Sequence, residues 1–421
     1  MKVLGLVAEY NPFHNGHYYH LNKSIEITGA THTVAVMSGN FLQRGEPALL
    51  SKWQRAKMAI DNGVDLVIEL PTAYACSTAE FFAFASINLL HNLNIVNYIA
   101  FASEIGDISI LKSIAKILSE SPKTFRDLLK KHLSMGCSFP VARSNALLDY
   151  YKSLHKNSNQ IKLMDIQSII SNPNNILSIE YLKALNKLNS SIIPHTFPRM
   201  GANYHSTEIH MGISSATAIR EYLRLDKPLC NLSNVMPLAS YKILKESYEL
   251  NLAPIFKEDF TDGLLTILRR KDIKGFAEYF DLKEGLENRF HKCCHAVNSL
   301  DDLYNCIKSK RYPMTRIQRI CIHILLNLRE RDLVLYNKSG PQYVRVLGFN
   351  NKGRQILKLL KSRSILPIIT KLNHYTPKNS IAKGMLDLDI RASSIYGLAM
   401  KNHDYATKLM DYYESPYYNN K

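Results

Sequence analysis

The 421-residue sequence predicts an α/β fold in which a parallel sheet with crossover helices is followed by a mainly helical, basic segment. Three observations support this prediction. Short apolar, β-branched runs alternate with helix-like segments over the first hundred residues, a spacing typical of parallel sheets. Helix-like patterns dominate beyond residue 228. The 53 Lys and Arg residues outnumber the 36 Asp and Glu residues, so the formal charge is +17.

The first part of the chain is predicted to alternate strands and helices. Strands are expected over residues 3–10, 31–38, 64–70, 97–101 and 191–197. Helices are expected over residues 16–28, 51–62, 78–93, 176–189 and 214–223, and the pattern from 107 to about 159 is also helical. We expect residues 1–225 to form one domain.

The second part, residues 226–421, is predicted to form a mainly helical domain. Its helices are expected around residues 241–249, 263–270, 284–297, 299–308 and 316–330. A strand over 343–349, a helix near 353–362 and a strand over 365–370 then predict a small α/β piece near the C-terminus. The tail, residues 411–421, is rich in Tyr and Asn and is expected to be partly disordered.

The composition excludes two classes of protein. With 46% hydrophobic and 21% charged residues, the chain has enough apolar side chains to form buried cores, so wholesale disorder is excluded. The apolar runs are interrupted well before the ~20 residues that a membrane span requires. The N-terminal apolar run ends at Glu9 without a cleavage pattern and is typical of a buried strand. We therefore expect no membrane contact.

The seven cysteines are scattered and lack a Cys-x-x-Cys pair, which favours reduced thiols in a cytoplasmic protein. One local set, His291, Cys293, Cys294 and His295, contains zinc-binding residue types. Adjacent cysteines do not fit the usual spacing of a structural zinc site, so packing along a helix face is favoured and no metal site is predicted.

The basic residues cluster, which favours a polyanionic partner such as RNA or DNA over a merely basic protein. Residues 308–319 hold five basic residues and no acidic one. Residues 341–374 hold seven more, again without an acid. The candidate RNA-binding residues are Lys310, Arg311, Arg316 and Arg319. The alternative is that they pair with acids from elsewhere, for example Glu284 or Glu287, and hold helices together.

The sharpest local motif is His14-Asn15-Gly16-His17, where the first predicted strand turns into the first predicted helix. Gly16 allows a nucleotide to approach the backbone, and the helix N-terminus offers free N–H groups. The two imidazoles can donate hydrogen bonds to phosphate oxygens. Because ligands bind beyond the carboxyl ends of parallel strands, we interpret the motif as a nucleotide site, with a packed histidine pair as the alternative.

A second motif, residues 213–220, places Ser214, Ser215 and Thr217 at the start of a helix that carries Arg220. The hydroxyls, free N–H groups and the guanidinium suit a leaving pyrophosphate. Taken alone, the motif also fits an ordinary helix N-cap.

Together the two motifs resemble the His-x-Gly-His and Ile-Ser-x-Thr-x-x-Arg signatures of the nucleotidylyltransferase superfamily. Further segments resemble one family in it, tRNA(Met) cytidine acetate ligase: residues 7–21, 37–47, 65–71, 173–177, 199–205, 284–289, 310–312 and 315–319. The resemblance covers most of the chain and thins after residue 375. It implies a Rossmann-like nucleotidylyltransferase domain followed by a tRNA-binding domain.

The resemblance also implies an activity. Such an enzyme activates acetate with ATP to acetyl-adenylate, then acetylates the exocyclic amine of the wobble cytidine in elongator tRNA(Met), giving N4-acetylcytidine. The triphosphate would carry Mg²⁺. The catalytic candidates are His14, His17 and Arg220. The ATP contacts carried over are Val7, Ala8, Glu9, Tyr10, Asn11, Pro12, Phe13, His14, Asn15, Gly16, His17, Tyr18, Tyr19, His20, Ala102, Asn174, Asn175, Arg199, Ser215 and Thr217. Ala102 stands where the family pattern has Gly.

Other polar residues have open roles at this stage. Arg44, Lys52 and Arg55 are further cations for the triphosphate, or else part of a solvated helix face. Glu69 and Glu104, at predicted strand ends, are candidates to order metal-bound water or to accept the cytidine proton, with a strand-end cap equally favoured. Aromatic residues such as Tyr10 and Phe41 are candidates to stack on the cytidine, although core packing is favoured.

Two other functions remain open from the residues. A nucleotidylyltransferase that makes a small cofactor would need the first domain but not a basic partner of nearly 200 residues. A non-catalytic RNA-binding protein on the same fold is opposed by the intact His14, Gly16, His17 and Arg220.

Overall fold

The computed structural model describes residues 1–137, 139–154, 166, 169–199, 212, 214–309, 311–406 and 410–420. Its centre is one eight-stranded sheet with the order β5-β4-β1-β2-β3-β6-β7, in which β8 also pairs with β6. The strands are β1 (Val3–Ala8), β2 (His32–Ser38), β3 (Leu66–Leu70), β4 (Tyr98–Ser103), β5 (Ile193–Pro198), β6 (Val344–Asn350), β7 (Ile368–Ile369) and β8 (Tyr417–Asn419).

Strands β1 to β5 are mutually parallel, as the alternation of strands and helices predicts. The helices of the first part are α1 (Asn15–Thr28), α2 (Lys52–Asp61), α3 (Thr72–Ala75), α4 (Ala79–Asn92), α5 (Ile108–Glu120), α6 (Lys123–Ser134), α7 (Phe139–Leu154), α8 (Pro173–Lys187) and α9 (Ala216–Arg224). The parallel α/β prediction is confirmed, and the five predicted strands differ from the observed ones by at most two residues at each end.

The remaining helices follow in chain order. They are α10 (Leu238–Glu249), α11 (Thr261–Arg269), α12 (Ile273–Phe276), α13 (Leu286–Ala296), α14 (Leu300–Ile307), α15 (Met314–Leu325), α16 (Glu330–Ser339), α17 (Asn351–Arg363), α18 (Ser380–Gly397), α19 (His403–Ala406) and α20 (Met410–Tyr413). Short 3-10 helices span Leu229–Asn234, Lys257–Phe260 and Leu372–His374. No helix among the described residues is long and apolar enough to cross a membrane.

Apolar cores cover both faces of the sheet. Successive residues of β2 point to opposite sides, so Val34 and Val36 join one core whereas Ala35 and Met37 join the other. All four are fully buried. Strands with apolar residues on both faces are typical of a parallel sheet covered by helices on each side.

The sheet crosses the predicted domain boundary at residue 225. Strand β6 pairs antiparallel with β3, and β7 and β8 pair with β6, so the small C-terminal α/β piece extends the first sheet. The two predicted domains, residues 1–225 and 226–421, therefore share one sheet. Their separate roles in ATP binding and tRNA binding remain a prediction.

The expectation of a partly disordered tail is wrong for residues 410–420. Asp411 is 1% exposed and its carboxylate lies 2.8 Å from the Lys52 ammonium and 3.0 Å from the Arg345 guanidinium. Glu69 completes the group, 2.8 Å from Lys52. Because buried charges require partners, these contacts hold the tail against the sheet.

The expectation that all thiols are reduced is also not met. A disulfide joins Cys293 on α13 to Cys306 on α14, whereas Cys76, Cys137, Cys230, Cys294 and Cys321 are free. The structure thus links two neighbouring helices of the second part covalently. Neither the spacing nor the local sequence pattern indicated this pair.

Candidate active site

A cleft of about 290 Å³ opens where the chain order of the sheet reverses, at the carboxyl ends of β1 and β4. This is the position at which open parallel sheets bind ligands. The ends of β1, β4 and β5 line it together with the first turns of α1, α8 and α9 and the loop that follows β2. The two sequence motifs therefore meet in one cleft.

His14 and His17 cap the first turn of α1 reciprocally. The Nδ1 atom of His14 accepts a hydrogen bond from the Gly16 N–H at 3.0 Å, and the Nδ1 atom of His17 accepts one from the His14 N–H at 3.3 Å. The ring centroids are 3.9 Å apart. An imidazole that accepts through Nδ1 carries its proton on Nε2, so both rings are assigned as Nε2–H donors.

Both imidazoles are neutral near pH 7. Burial, followed by the positive charges of Arg199 and Arg220, lowers the pKa of His14 to about 3. Burial, His14, His20 and Arg199 lower the pKa of His17 well below its ordinary value, against a smaller opposing effect of the Pro12 carbonyl. The motif therefore offers hydrogen-bond donors, and the cations of the cleft are arginines.

Arg220 reaches across the cleft from the second motif. Its Nη1 donates to the Asn11 carbonyl at 3.0 Å, and its Nη2 lies 3.4 Å from the Thr217 hydroxyl and 3.6 Å from the Glu46 carboxylate. Ser215 is the N-cap of α9, with its hydroxyl accepting from the Ala218 N–H at 3.0 Å. The guanidinium is thus held over the strand end by fixed partners.

Asn15 joins the two motifs. Its side-chain amide donates to the Gly212 carbonyl at 2.8 Å and to the Asn234 carbonyl at 3.1 Å. It does not line the cleft. Its observed contacts are those of a positioning residue that fixes the start of α1 against the loop before α9.

Glu104 and Asn175 clamp β4 to α8. The Glu104 carboxylate accepts from the backbone N–H groups of Asn174 and Asn175 at 3.1 and 2.7 Å. In return, the side-chain Oδ1 of Asn175 accepts from the Glu104 N–H at 2.9 Å. Asn175 is 1% exposed and does not line the cleft, whereas Asn174 does. Of the roles predicted for Glu104, the contacts match capping, with its carboxylate on the first turn of α8.

Lys52 and Arg55 do not face the cleft, although the sequence made them candidates for the triphosphate. Lys52 is fully buried against Glu69, and Arg55 donates to the carbonyls of Leu50, Glu9 and Gly39. This correction has a physical reason, since both side chains satisfy buried acceptors instead of solvent. Glu69 is occupied in the same way. Arg44 does line the cleft.

The residues predicted to contact ATP fall into two groups, those that line the cleft and those that do not. Those that line the cleft are Val7, Ala8, Glu9, Tyr10, Asn11, His14, Gly16, His17, Tyr19, His20, Ala102, Asn174, Arg199, Ser215, Thr217 and Arg220. Pro12, Phe13, Asn15, Tyr18 and Asn175 do not. Phe13 is in the core, and Tyr18 is 45% exposed on the outer side of α1. Tyr10 and Phe41 are both packed in the cores, as favoured, although Tyr10 also contributes to the cleft wall.

Sequence reasoning identified one part of the wall only through Arg44 and missed another part altogether. One is the loop after β2, where Gln43 donates its N–H to the Glu9 carboxylate at 2.9 Å and Glu46 approaches Arg220. The other is an apolar side formed by Leu6, Leu42, Phe82, Phe101, Leu177, Tyr181 and Phe197. The conspicuous run of residues 37–47 was a signal for the loop, whereas apolar wall residues look like any core residue in a sequence.

Glu9 is a half-buried carboxylate in the wall of the cleft. Burial raises its pKa, while the Gln43 N–H, Arg220 and Arg44 act in the opposite direction and Glu46 adds to the rise. Glu9 and Glu46 are the carboxylates among the residues that line the cleft.

The predicted RNA-binding segment lies beside this loop. Gly45 packs against the backbone of Gln318 and Arg319 in the second turn of α15. Arg311 pairs with the Glu284 carboxylate, and Arg316 donates to the Asp281 carbonyl at 2.6 Å. These contacts match the alternative in which the cations hold helices together. Lys310 lies outside the described residues, as do residues 200–211 and 213.

Comparisons with known proteins agree with this geometry. A family model described as HIGH Nucleotidyl Transferase matches residues 1–411. The tRNA(Met) cytidine acetate ligase of Alkaliphilus metalliredigens is 47% identical over 422 residues, covering 99% of both chains. That of Thermoanaerobacter sp. is 45% identical over 406 residues, covering 96% of this chain and 97% of its own.

Two crystal structures of Thermotoga maritima TmcAL, each 35% identical, match this chain over 100% of both chains. The apo form has a TM-score of 0.95, and the form bound with alpha-thio ATP has a TM-score of 0.93. From the cleft, the two motifs and these matches, the chain belongs to the HIGH nucleotidyl transferase family and, more narrowly, to the tRNA(Met) cytidine acetate ligase family.

Proposed function

We propose that this protein is an ATP-dependent ligase that converts acetate to acetyl-adenylate and transfers the acetyl group to the wobble cytidine of elongator tRNA(Met). The observation that carries the proposal is the pair of histidines whose Nδ1 atoms accept backbone hydrogen bonds, facing a cleft with Arg220 and Arg199. Family membership supports the substrates, since the relatives at 42–47% identity are named for this reaction.

In the first step, an acetate oxygen bonds to the α-phosphorus of ATP and the bond to the β-phosphate bridging oxygen breaks. Acetate is already an anion and needs no general base. His14 and His17 donate hydrogen bonds to the transferring phosphoryl oxygens, and Arg220 with the N-terminus of α9 receives the charge of the leaving pyrophosphate. Because these groups are held by fixed partners, little reorganisation is needed during the reaction.

In the second step, the exocyclic amine of cytidine attacks the acetyl carbon, and the bond to the AMP oxygen breaks. The amine must lose a proton. Glu69 and Glu104 are occupied by buried partners, so the carboxylates available in the cleft are Glu9 and Glu46. A carboxylate with a raised pKa is a stronger base than an ordinary one, which favours Glu9.

Mg²⁺ would enter with the triphosphate. No group of three or more His, Cys, Asp or Glu side chains in the described part of the chain is arranged to hold a metal ion. Mg²⁺ commonly uses one or two carboxylates, substrate phosphates and water, a set that Glu9 and Glu46 fit. The ion would neutralise phosphate charge.

The segment from Lys310 to Arg319 is the proposed RNA contact nearest the cleft, since it borders the loop that carries Arg44 and Glu46. Arg311 is 61% exposed and can exchange Glu284 for a phosphate. Lys310→Ala with Arg311→Ala should lower the salt dependence of tRNA binding by up to about two units of slope. An unchanged slope would leave these residues with a structural role only.

The proposed function is tested by ATP–pyrophosphate exchange. Exchange should require acetate and should not require tRNA, whereas acetylated cytidine should form only when tRNA(Met) is added. Exchange that proceeds equally without any carboxylate would contradict the assignment of acetate. Exchange that depends on a small cofactor precursor would favour the small-molecule nucleotidylyltransferase instead.

A further inference from the structure

The region from residue 341 to residue 386 carries a concentrated positive charge that no acid offsets. It contains nine Lys and Arg residues and no Asp or Glu. Arg345 is buried and bonded to Asp411 and Glu69. The other eight are exposed: Lys352, Arg354, Lys358, Lys361, Arg363, Lys371, Lys378 and Lys383. None of these eight forms an ion pair with a carboxylate of the described chain.

Helix α17 presents three of these residues on one face, which we call the α17 stripe: Arg354, Lys358 and Lys361. Their spacing of four and three residues aligns them along one side of the helix over about 10 Å. On the opposite side, Ile356 and Leu360 are buried in the core that covers the sheet. The stripe is therefore a fixed, outward-facing row of cations.

The start of α17 is anchored to the sheet. The Lys352 ammonium donates to the Thr31 carbonyl at 3.2 Å, and His32 Nε2 lies 3.1 Å from Gln355 Oε1. Thr31 and His32 stand at the amino end of β2. The helix therefore begins at the edge of the sheet opposite the cleft, about 20 Å from it along the strands.

The stripe is electrostatically unfavourable in the isolated protein. Like charges three or four residues apart on a helix repel one another, and no carboxylate in the described part of the chain forms an ion pair with them. A row of phosphates would convert the repulsion to attraction and release condensed counterions. A membrane surface fits less well, because the apolar face of α17 is buried against the sheet and cannot insert.

We propose that the α17 stripe binds the phosphate backbone of the tRNA substrate, as a contact separate from the cleft and from residues 308–319. The inference rests on the proposed function for the identity of the RNA. An RNA with its cytidine in the cleft must extend about 20 Å along the strands to reach Arg354 at the start of α17. From there the helix runs back toward the cleft edge, because β7, which follows it, pairs in parallel with β6 beginning at Val344. A folded tRNA has this reach, and a trinucleotide does not.

The test neutralises the stripe with Arg354→Gln, Lys358→Gln and Lys361→Gln together. A matched control neutralises Lys123, Arg126 and Lys130, three exposed basic residues on α6 at spacings of three and four, for the same change in net charge. Full-length tRNA(Met) and a trinucleotide centred on cytidine are titrated across salt concentrations with both variants and wild type.

We expect the stripe variant to lower the salt slope for tRNA by up to about two units and the control to change it by less than half as much. Trinucleotide binding and acetate-dependent exchange should stay at the wild-type level. Equal effects of both variants would show that only the net charge matters and would overturn the proposal. An unchanged salt slope in the stripe variant would overturn it as well. Loss of binding to phosphatidylserine vesicles with unaltered tRNA binding would identify a membrane surface instead.

The two proposals fail separately. If wild-type protein lacks acetate-dependent exchange, the proposed function fails, yet the salt slopes for tRNA still decide the role of the stripe. If exchange and acetylation are normal and only the slopes disagree, the stripe alone is wrong.

Discussion

Replacing His17 with alanine separates the chemical role of this imidazole from its structural role. The structural loss is a long hydrogen bond, 3.3 Å from the His14 N–H, the contact with the Pro12 carbonyl, and ring contacts with Tyr10, Phe13 and His14 at 5.1, 5.7 and 3.9 Å between centroids. Such a bond contributes about 0.5–1.5 kcal/mol and an aromatic contact about as much. A native domain is stable by about 5–15 kcal/mol, so the variant should fold.

The chemical loss should be larger. Removing one preorganised donor to a developing charge costs about 10²–10³ in turnover, equivalent to about 2.7–4 kcal/mol. We therefore expect acetate-dependent ATP–pyrophosphate exchange of His17→Ala to fall by that factor, mainly in kcat, with thermal unfolding only a few degrees lower. Lys23→Ala, a surface change on the same helix, is the control and should alter neither measurement.

Two further substitutions sharpen this test. His17→Asn can restore an acceptor for the His14 N–H but lacks a donor at the Nε2 position, so it should recover stability without recovering turnover. His17→Gln places an amide donor near Nε2 and should recover part of the turnover. Wild-type exchange in His17→Ala, or recovery of turnover by asparagine alone, would refute the role of His17 in phosphoryl transfer.

Three other predictions concern the close packing and the buried ionisable groups around the site. Gly45→Ala should destabilise the protein by more than about 1 kcal/mol and slow exchange, because residue 45 has φ +79° and a Cβ would lie 2.3 Å from the backbone of α15. Gly63→Ala controls for backbone strain alone, since residue 63 has φ +103° and its Cβ would make only an ordinary 3.7 Å contact with Leu21. Equal unfolding temperatures of the two variants would contradict the clash. Asp411→Ala should cost about 3–5 kcal/mol in unfolding free energy by leaving two buried cations short of a partner, and a change below about 1 kcal/mol would show that the tail is not held by charge. Burial lowers the pKa of His14 to about 3 and that of His323 to about 4. Below pH 6.5 these two histidines bind protons in the unfolded chain but not in the folded chain. The unfolding free energy should therefore fall as the pH drops from 6.5 to 4, by up to about 1.4 kcal/mol per pH unit for each histidine. His323→Gln should flatten this slope in chemical denaturation at several pH values, and an unaltered slope would contradict the buried neutral state.

The sheet and the first motif were predictable because their signals are local. Apolar runs of strand length, separated by helix-like segments, fix β1 to β5 without reference to distant residues. The turn from β1 into α1 is likewise specified by consecutive residues. Its capping by His14 and His17, however, is a side-chain arrangement that the sequence pattern did not indicate.

The predictions that failed depend on residues far apart in the chain. Lys52 looked like a free cation because Asp411 and Arg345 are hundreds of residues away, and the tail looked disordered because its partner is buried elsewhere. Helix α18 was not predicted, since it carries buried residues around much of its surface and contains Gly384. The disulfide and the apolar wall of the cleft belong to the same class, because only tertiary packing brings their members together.

The central claim is that an acetate oxygen attacks the α-phosphorus of ATP in this cleft. Acetate labelled with ¹⁸O at both oxygens, ATP and tRNA(Met) provide the most direct measurement, with AMP, pyrophosphate and the modified nucleoside analysed by mass spectrometry. Attack at the α-phosphorus followed by transfer predicts one labelled oxygen in AMP and one in the acetyl group of N4-acetylcytidine. Unlabelled AMP, or label in inorganic phosphate or pyrophosphate, would contradict the account.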